Sequence, residues 1–143
     1  MQVKLKKLDE RAILPTRGST AAAGLDLYAL DAVTVGAGKT VLVHTGIALA
    51  IPEGYAGFIY ARSGIATKRG LAPANKVGVI DADYRGEIMV ALHNHSMTEQ
   101  TVDAGERVAQ LVVAPFLSVE LDVVEALDET ERASGGFGST GKN

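Results

Sequence analysis

The feature that most constrains the fold is the recurrence of apolar residues at every second position or in short branched runs, with turn residues between the runs. These runs are Val3–Leu5, Val33–Val35, Val41–Val43, Ile47–Ile51, Phe58–Tyr60, Ile88–Leu92, Val108–Val113 and Leu117–Val123. Such runs, bounded by glycine and proline at close spacing, are typical of β-strands in a sandwich or barrel. The sequence therefore predicts an all-β fold with a short helical turn after Ser63 and no long helix.

Length and composition limit the organisation and the partners. The 143 residues suit a single domain, which we expect to divide into a core of about residues 1–127 and a flexible C-terminal segment of about 128–143, whose composition is too polar to order itself. The chain has no cysteine, so disulfides and thiolate chemistry are excluded. We expect a soluble, cytoplasmic protein; a nuclear or virus-encoded protein is also consistent with the sequence.

Charge and hydropathy exclude two classes of partner. The formal net charge is −3, which argues against a groove that neutralises many phosphates of a nucleic-acid polymer. No apolar stretch approaches the roughly 18 residues of a membrane span. A single small anion such as a nucleotide stays compatible with the composition, because a site for it needs only local groups.

The C-terminal segment resembles a phosphate-binding loop without matching one. From Gly136 to Lys142 it approaches the pattern G-x-x-x-x-G-K-[ST], but Asn143 stands where Ser or Thr is needed to meet Mg²⁺. The segment carries one arginine, one aromatic ring and several amides and hydroxyls. These features predict a lid that closes over a ligand.

Three acidic spots lie among small residues where the chain is expected to turn: Asp26, the pair Asp81 and Asp83, and Glu106. Each could simply accept hydrogen bonds from nearby amides of its turn. Brought together by the fold, they could instead hold Mg²⁺, which prefers oxygen ligands, or supply a general base toward water.

Two further groups of polar residues allow two interpretations each. Arg62, Ser63 and Gly64 could bind phosphate through a guanidinium fork and short donors, or Ser63 could cap a helix beside a surface arginine. His93 and His95 alternate along a predicted strand end, where they could ligate a metal or simply lead into a polar turn.

Five stretches of the sequence resemble, in order, the five motifs of the trimeric dUTP nucleotidohydrolases (dUTPases). They are AAGLDLYA at 22–29, ARSGIATKRG at 61–70, NKVGVIDADYRGEI at 75–88, AGERVAQLVVAP at 104–115 and ERASGGFGSTG at 131–141. Two positions depart from the usual pattern, namely Glu106 in place of a common aspartate and Ala133 in place of a common glycine. Ala133 is expected to stiffen the segment that carries it.

The resemblance implies a jelly-roll-like β-clip fold and a homotrimer whose active sites are each built from all three chains. It implies hydrolysis of dUTP to dUMP and diphosphate, which keeps uracil out of DNA and supplies dUMP for dTMP synthesis. Asp81 would activate a water for attack on the α-phosphate, and Mg²⁺ would hold the triphosphate. Asp26 and Gln110 would reach the metal through waters, and the phosphate chain would be lined by Arg62, Ser63 and Gly64.

The same resemblance assigns the base, the sugar and the lid. Asn75 and the backbone around Gly78 and Val79 would pair with the uracil edge, and Tyr84 would pack under the deoxyribose. In the C-terminal segment Arg132 would contact the γ-phosphate and Phe137 would stack on uracil. The terminal phosphates would meet Gly138, Ser139 and Thr140.

Two other functions are compatible with parts of the pattern. The dCTP deaminase branch of this fold carries a catalytic glutamate in the strand after the third motif, where this chain has Ala91. A dUTPase-like, nucleotide-binding regulatory module is the other alternative, and the motifs alone do not exclude a second role of that kind.

Overall fold

A computed structural model describes residues 1–136, and its regular structure is almost entirely β-strand. The strands are β1 (Lys4–Lys7), β2 (Leu25–Tyr28), β3 (Val33–Val35), β4 (Thr40–Ala50), β5 (Tyr55–Tyr60), β6 (Leu71–Pro73), β7 (Gly78–Ile80), β8 (Glu87–Asn94), β9 (Gln100–Val102) and β10 (Arg107–Pro115). One helix, α1 (Ser63–Arg69), follows β5. The prediction of an all-β chain with a short helical turn after Ser63 is confirmed.

The strands form two four-stranded antiparallel sheets and a small two-stranded one. The first sheet has the order β1-β4-β8-β6, the second has the order β2-β10-β5-β7, and β3 pairs with β9. In the described part of the chain, no two neighbouring strands in these sheets are consecutive in sequence, as expected of the predicted jelly-roll-like architecture. Because β7 ends the second sheet, part of its backbone has no strand on its outer side.

The apolar faces of the three sheets enclose one core. Its fully buried side chains come from both large sheets and from the β3–β9 pair, and the largest are Leu27, Ile47, Leu71, Ile88, Leu92 and Leu111. This burial supplies the main stabilisation of the fold, since a fully buried aliphatic side chain contributes about 1.5–3 kcal/mol.

Two predicted strands, Val41–Val43 and Ile47–Ile51, are parts of one long strand, β4. The pairing of β4 with β8 shifts register between His44 and Ala48, and Gly46 inside this irregularity has φ of +70°. A Cβ at position 46 would lie 2.9 Å from the Cβ of Ala12. The glycine thus permits both the left-handed backbone and the close packing.

The predicted strand at Leu117–Val123 is wrong. Residues 117–136 contain no helix or strand, and the four alternating apolar side chains of Leu117, Val119, Leu121 and Val123 are 69–95% exposed. A strand needs a hydrogen-bonded neighbour, and within residues 1–136 none lies beside this stretch. Its alternation therefore marks a segment with an unpartnered apolar face.

Within residues 1–136 the structure has no helix long and apolar enough to cross a membrane. The alanine-rich stretch 20–23, whose composition would also suit a helix, contains turn and bend residues and no helix.

Candidate functional site

Many of the residues singled out from the sequence line two cavities of the chain. The first, which we call the base cavity, has a volume of about 290 Å³ and lies between the edge of β7 and strands β4 and β8. Its lining includes Asn75, Gly78, Val79, Asp81 and Tyr84. The second, the arginine cavity, has a volume of about 320 Å³ and is lined by Asp26, Arg62, Ser63, Gly64, Arg107 and Gln110, together with small residues of the loop before β2.

The floor of the base cavity is built from a tight turn and an edge strand. Asn75 follows β6, and the backbone turns sharply through Lys76, whose φ is 64°. Gly78 is buried, and a Cβ there would lie 3.1 Å from the Asn75 side-chain nitrogen and 3.3 Å from Ile59 Cβ. The glycine therefore lets the Asn75 amide lie close against β7, at the edge of the sheet.

Asp81 and Tyr84 lie in the turn that follows β7. The Tyr84 amide donates to the Asp81 carbonyl at 3.2 Å, and both side chains line the cavity from solvent-exposed positions. The Tyr84 hydroxyl donates to the carbonyl of Glu87 at 2.9 Å. The ring is thus tied back to the first residue of β8 while it borders the cavity.

Glu87 links this turn to β4. Its carboxylate oxygens lie 2.8 Å from His44 Nδ1 and 2.8 Å from the Gly46 amide nitrogen. Burial alone would raise the pKa of the Glu87 carboxyl, but the hydrogen bonds from His44 and from Gly46 outweigh it, and the pKa lies below its usual value. The carboxylate is therefore held in its charged form.

In the arginine cavity a single carboxylate binds two arginines. Asp26 on β2 is buried; its Oδ1 accepts from Arg62 Nε at 2.7 Å, and its Oδ2 accepts from Arg107 Nη1 at 3.3 Å. Both cations thereby stay close together at one face of the cavity. Two guanidinium groups in one cavity form a site suited to a multiply charged anion such as a phosphate chain.

Arg107 was not predicted as a site residue. It opens β10, and the register of β10 with β2 shifts between Arg107 and Ala109. A bulge of this kind redirects a side chain, and here the arginine reaches Asp26. The only sequence signal was its place in the fourth motif, because an arginine at a strand end is usually a solvated surface residue.

Gln110 lies in the same row of the sheet as Asp26. It pairs with Asp26 on one side and with Tyr60 on the other, and its Nε2 donates to the Ala61 carbonyl at 2.9 Å. A Cβ at Gly24 would lie 2.4 Å from Gln110 Oε1, so the glycine makes room for this amide oxygen. The Gln110 side chain is therefore oriented by one hydrogen bond and by its close packing against Gly24.

The first turn of α1 completes the arginine cavity. Arg62 occupies the N-cap position with no side-chain capping bond, so Ser63 does not cap the helix as the alternative interpretation supposed. Ser63 and Gly64 are exposed, and a Cβ at position 64 would meet nothing within 4 Å. Their backbone amides start the helix without intrahelical acceptors and border an open space.

The remaining predicted residues fall outside these two cavities. Glu106 pairs with Arg69 and accepts from the Asp103 amide at 3.0 Å, so it stabilises a turn. The predicted acids Asp26, Asp81 and Glu106 therefore do not come together on one chain. Within residues 1–136 no three side chains of the kinds that bind metals come together, and the rings of His93 and His95 stack edge to face with centroids 4.4 Å apart.

The C-terminal segment is described as far as Gly136. Arg132 is exposed, and its Nε donates to the Gly135 carbonyl at 2.9 Å. Ala133 has φ of 43°, in the left-handed region that favours glycine. The predicted contacts of Phe137, Gly138, Ser139 and Thr140 lie outside the described residues.

Comparison with known proteins identifies similar sequences and folds. A family profile described as dUTPase matches residues 10–141. The deoxyuridine 5'-triphosphate nucleotidohydrolase of Syntrophotalea carbinolica is 49% identical over 141 residues, covering 97% of this chain and 96% of that protein.

Two solved structures share the fold. A variant of the Staphylococcus bacteriophage 80alpha dUTPase with dUpNHpp matches with a TM-score of 0.92 and 28% identity, covering 99% of each chain. A variant of the dUTPase from phage phi11 of S. aureus, solved to describe the coordination of a structural Mg(II) ion, matches with a TM-score of 0.82 and 26% identity, covering 88% of this chain and 98% of that one.

Proposed function

The chain belongs to the dUTPase family, and from that premise we propose that it hydrolyses dUTP to dUMP and diphosphate. The observation that carries the proposal is that one cavity is lined by an amide at a strand edge, by a tyrosine and by an exposed carboxylate, namely Asn75, Tyr84 and Asp81. These three groups meet the needs of base recognition, sugar recognition and water activation.

Uracil recognition rests on Asn75 and on the outer backbone of β7 near Gly78 and Val79. A base edge that pairs with main-chain groups of an edge strand leaves no unsatisfied polar atom, whereas a wrong donor or acceptor would be buried without a partner. The tight approach of Asn75 to Gly78 makes this a narrow slot. A thymine methyl group would have to displace one of its walls.

Catalysis uses the carboxylate of Asp81 as a general base. A water held by Asp81 gives up a proton as its oxygen forms a bond to the α-phosphorus, and the bond from that phosphorus to the bridging oxygen breaks. The leaving diphosphate carries away the negative charge. Arg62 and the donors of Ser63 and Gly64 stabilise that charge where it develops.

The residues fit a metal that is held through water. Both Asp26 carboxylate oxygens are already bonded to arginines, which does not suit direct ligation, whereas Gln110 Oε1 faces the space beside Gly24 and can accept from a metal-bound water. Mg²⁺ would supply charge neutralisation to the triphosphate oxygens. The dUTPase from phage phi11 of S. aureus coordinates a structural Mg(II) ion, so a relative with this fold binds the same metal.

The separation of the two cavities supports active sites shared between chains. Asp26, Gln110 and Tyr60 occupy one row of the second sheet, whereas Asp81 follows Ile80, which pairs with Gly57. Relative to Asp26, Asp81 therefore lies four residues further along the strands, which is about 13 Å, and three strands across the sheet, which is about 14 Å. The backbones of Asp26 and Asp81 are therefore about 19 Å apart on one chain, whereas the proposed reaction needs Asp81 beside the phosphate chain that the arginine cavity binds.

A homotrimer resolves this separation, because the base cavity of one chain can face the arginine cavity of another. The exposed apolar segment 117–123 and the apolar groove lined by Val3, Leu5, Leu14, Leu25, Leu49, Leu111 and Val113 offer surfaces for such an assembly. Three copies are what the family resemblance implies. Sedimentation of the purified chain measures the number directly.

The C-terminal segment is proposed as the lid of the shared site. Arg132 would pair with the γ-phosphate, Phe137 would stack on uracil, and the terminal phosphates would meet Gly138, Ser139 and Thr140. The exposure of Glu131, Arg132, Ala133 and Ser134 supports this role, because a lid must be free of the core.

Deamination of dCTP is disfavoured by position 91. Ala91 lines the base cavity, so the place where the deaminase branch carries its glutamate offers only a methyl group. Position 91 therefore supplies no proton shuttle of that kind.

Diphosphate release from dUTP, dTTP, dCTP and UTP, with and without Mg²⁺, tests the proposal. We expect strong preference for dUTP and dependence on the metal. Comparable rates with dTTP would contradict the narrow slot, and absence of turnover on all four would contradict the function.

A further inference from the structure

The presence of glycine at position 86, close to the Tyr84 ring, is not explained by the backbone conformation there. The φ of Gly86 lies outside the left-handed region, so any residue could adopt its backbone. A Cβ at this position, however, would lie 2.4 Å from Tyr84 Oη, 2.6 Å from Cζ and 3.0 Å from Cε2. The space that a side chain would fill is therefore occupied by the tip of the tyrosine ring.

The ring is fixed in this space by its hydroxyl. Tyr84 Oη donates to the Glu87 carbonyl at 2.9 Å, and Glu87 is in turn anchored to β4 through His44 and the Gly46 amide. The tip of the ring thus rests on the Gly86 backbone, with its hydroxyl turned toward β8. Its remaining surface borders the base cavity, with 42% of the residue exposed.

From this geometry we propose that Gly86 is a positioning residue for sugar discrimination, and that it acts through Tyr84 by setting how far the ring extends into the base cavity. The proposal rests on the proposed function, because Tyr84 matters only if it borders the sugar of the nucleotide. A methyl group at position 86 cannot coexist with the ring in its present place. The ring must move, the bond to Glu87 must break, and the surface that excludes a 2'-hydroxyl changes.

The test compares dUTP with UTP as substrates of the full-length chain. For Gly86→Ala we expect the ratio of kcat/KM for dUTP to that for UTP to fall by about tenfold or more, chiefly through a higher KM for dUTP. Gly36→Ala is the matched control, because Gly36 also has an ordinary φ and a Cβ there would meet only the flexible Lys39 side chain, at 3.3 Å. This control should keep the wild-type ratio.

A second pair of variants isolates the contact from any general effect on folding. In a Tyr84→Ala background the obstacle is absent, so adding Gly86→Ala should change neither the melting temperature nor the substrate ratio. This holds even if Gly86→Ala alone fails to fold. If the double variant also fails to fold, or loses further discrimination, Gly86 acts through something other than Tyr84 and the inference is overturned.

The outcomes also separate this inference from the proposed function. A wild-type chain that does not hydrolyse dUTP removes the function itself. A wild-type chain that prefers dUTP, together with a folded Gly86→Ala variant of unchanged substrate ratio, leaves the function intact and overturns only the role of Gly86.

Discussion

Asp26 accepts a hydrogen bond from Arg62 at 2.7 Å and so joins β2 to the turn that begins α1. The same carboxylate also binds Arg107. Through this arrangement one buried anion keeps two cations together at the cavity where the phosphate chain is proposed to bind. The negative charge of Asp26 therefore organises positive charge and is not itself presented to the ligand.

Replacing Asp26 with Asn should leave the two arginines uncompensated. We expect Asp26→Asn to lower the free energy of unfolding by about 1–3 kcal/mol, because a partly buried charge loses its partner, and to raise KM for dUTP as Arg62 is released. Urea unfolding and steady-state kinetics measure the two effects. Asp31→Asn is the control, since its bond to Arg11 joins two exposed side chains; an equal loss of stability there would contradict the argument.

Gly24→Ala should impair the reaction through Gln110. The added methyl would lie 2.4 Å from Gln110 Oε1 and must displace that amide. We expect a lower kcat and a higher Mg²⁺ concentration for half-maximal rate, as for Gln110→Ala. Titration of the rate with Mg²⁺ measures both quantities, and an unchanged metal dependence in Gly24→Ala would remove Gln110 from the metal's surroundings.

The pattern of alternating residues predicted most of the strands because each has a partner within the chain. It failed at residues 117–123, where the alternation is equally clear but no strand of the described residues 1–136 lies alongside. It also missed β2, β6, β7 and β9, since strands of three or four residues with mixed composition leave little periodic signal. The alternation of apolar residues indicates which face of a segment is apolar, but it does not indicate which part of the protein covers that face.

The sequence predicted part of the candidate site, as it predicted part of the fold. The five motifs identified Asn75, Asp81 and Tyr84, and the structure brings these into one cavity. Arg107 and Gly86 were missed because their roles depend on a bulge and on a contact with Tyr84, and neither is visible in residue type or spacing. The distance between Asp26 and Asp81 along the sheet was likewise a property of the topology alone.

Glu87 should make the protein less stable as the pH is lowered. The pKa of its carboxyl is lowered below the ordinary 4.5, so the unfolded chain binds more protons than the folded one in the interval between the two values. The contribution of Glu87 is therefore fully present above about pH 4.5 and is lost as the pH falls through the lower folded pKa.

The variant Glu87→Gln measures this contribution. At pH 7 we expect it to be less stable than the wild type by about 1–2 kcal/mol, with the difference shrinking below pH 4. Urea unfolding between pH 3 and pH 7 at one protein concentration follows the difference. Glu10→Gln, at an exposed side chain, is the control; a Glu87→Gln difference that stayed constant over this range would contradict the assignment.

Removing the C-terminal segment should separate folding from turnover. A chain that ends at Glu131 keeps every buried core residue of the described part of the chain, so we expect an unchanged assembly and a melting temperature within a few degrees of the wild type. Its kcat/KM for dUTP should fall by about a hundredfold, because the lid contacts are gone. A chain that ends at Gly141 is the control, and equal activity of the two truncated chains would contradict the role of the lid.

The central claim is that the Asp81 carboxylate activates the attacking water, and Asp81→Asn tests it most directly. The amide keeps the size of the side chain but cannot take a proton, so we expect binding of dUpNHpp to stay within a few fold of the wild type while kcat falls by about a thousandfold or more. Calorimetric titration and diphosphate release measure the two quantities on the same preparation. Turnover close to the wild-type rate in Asp81→Asn would contradict the mechanism.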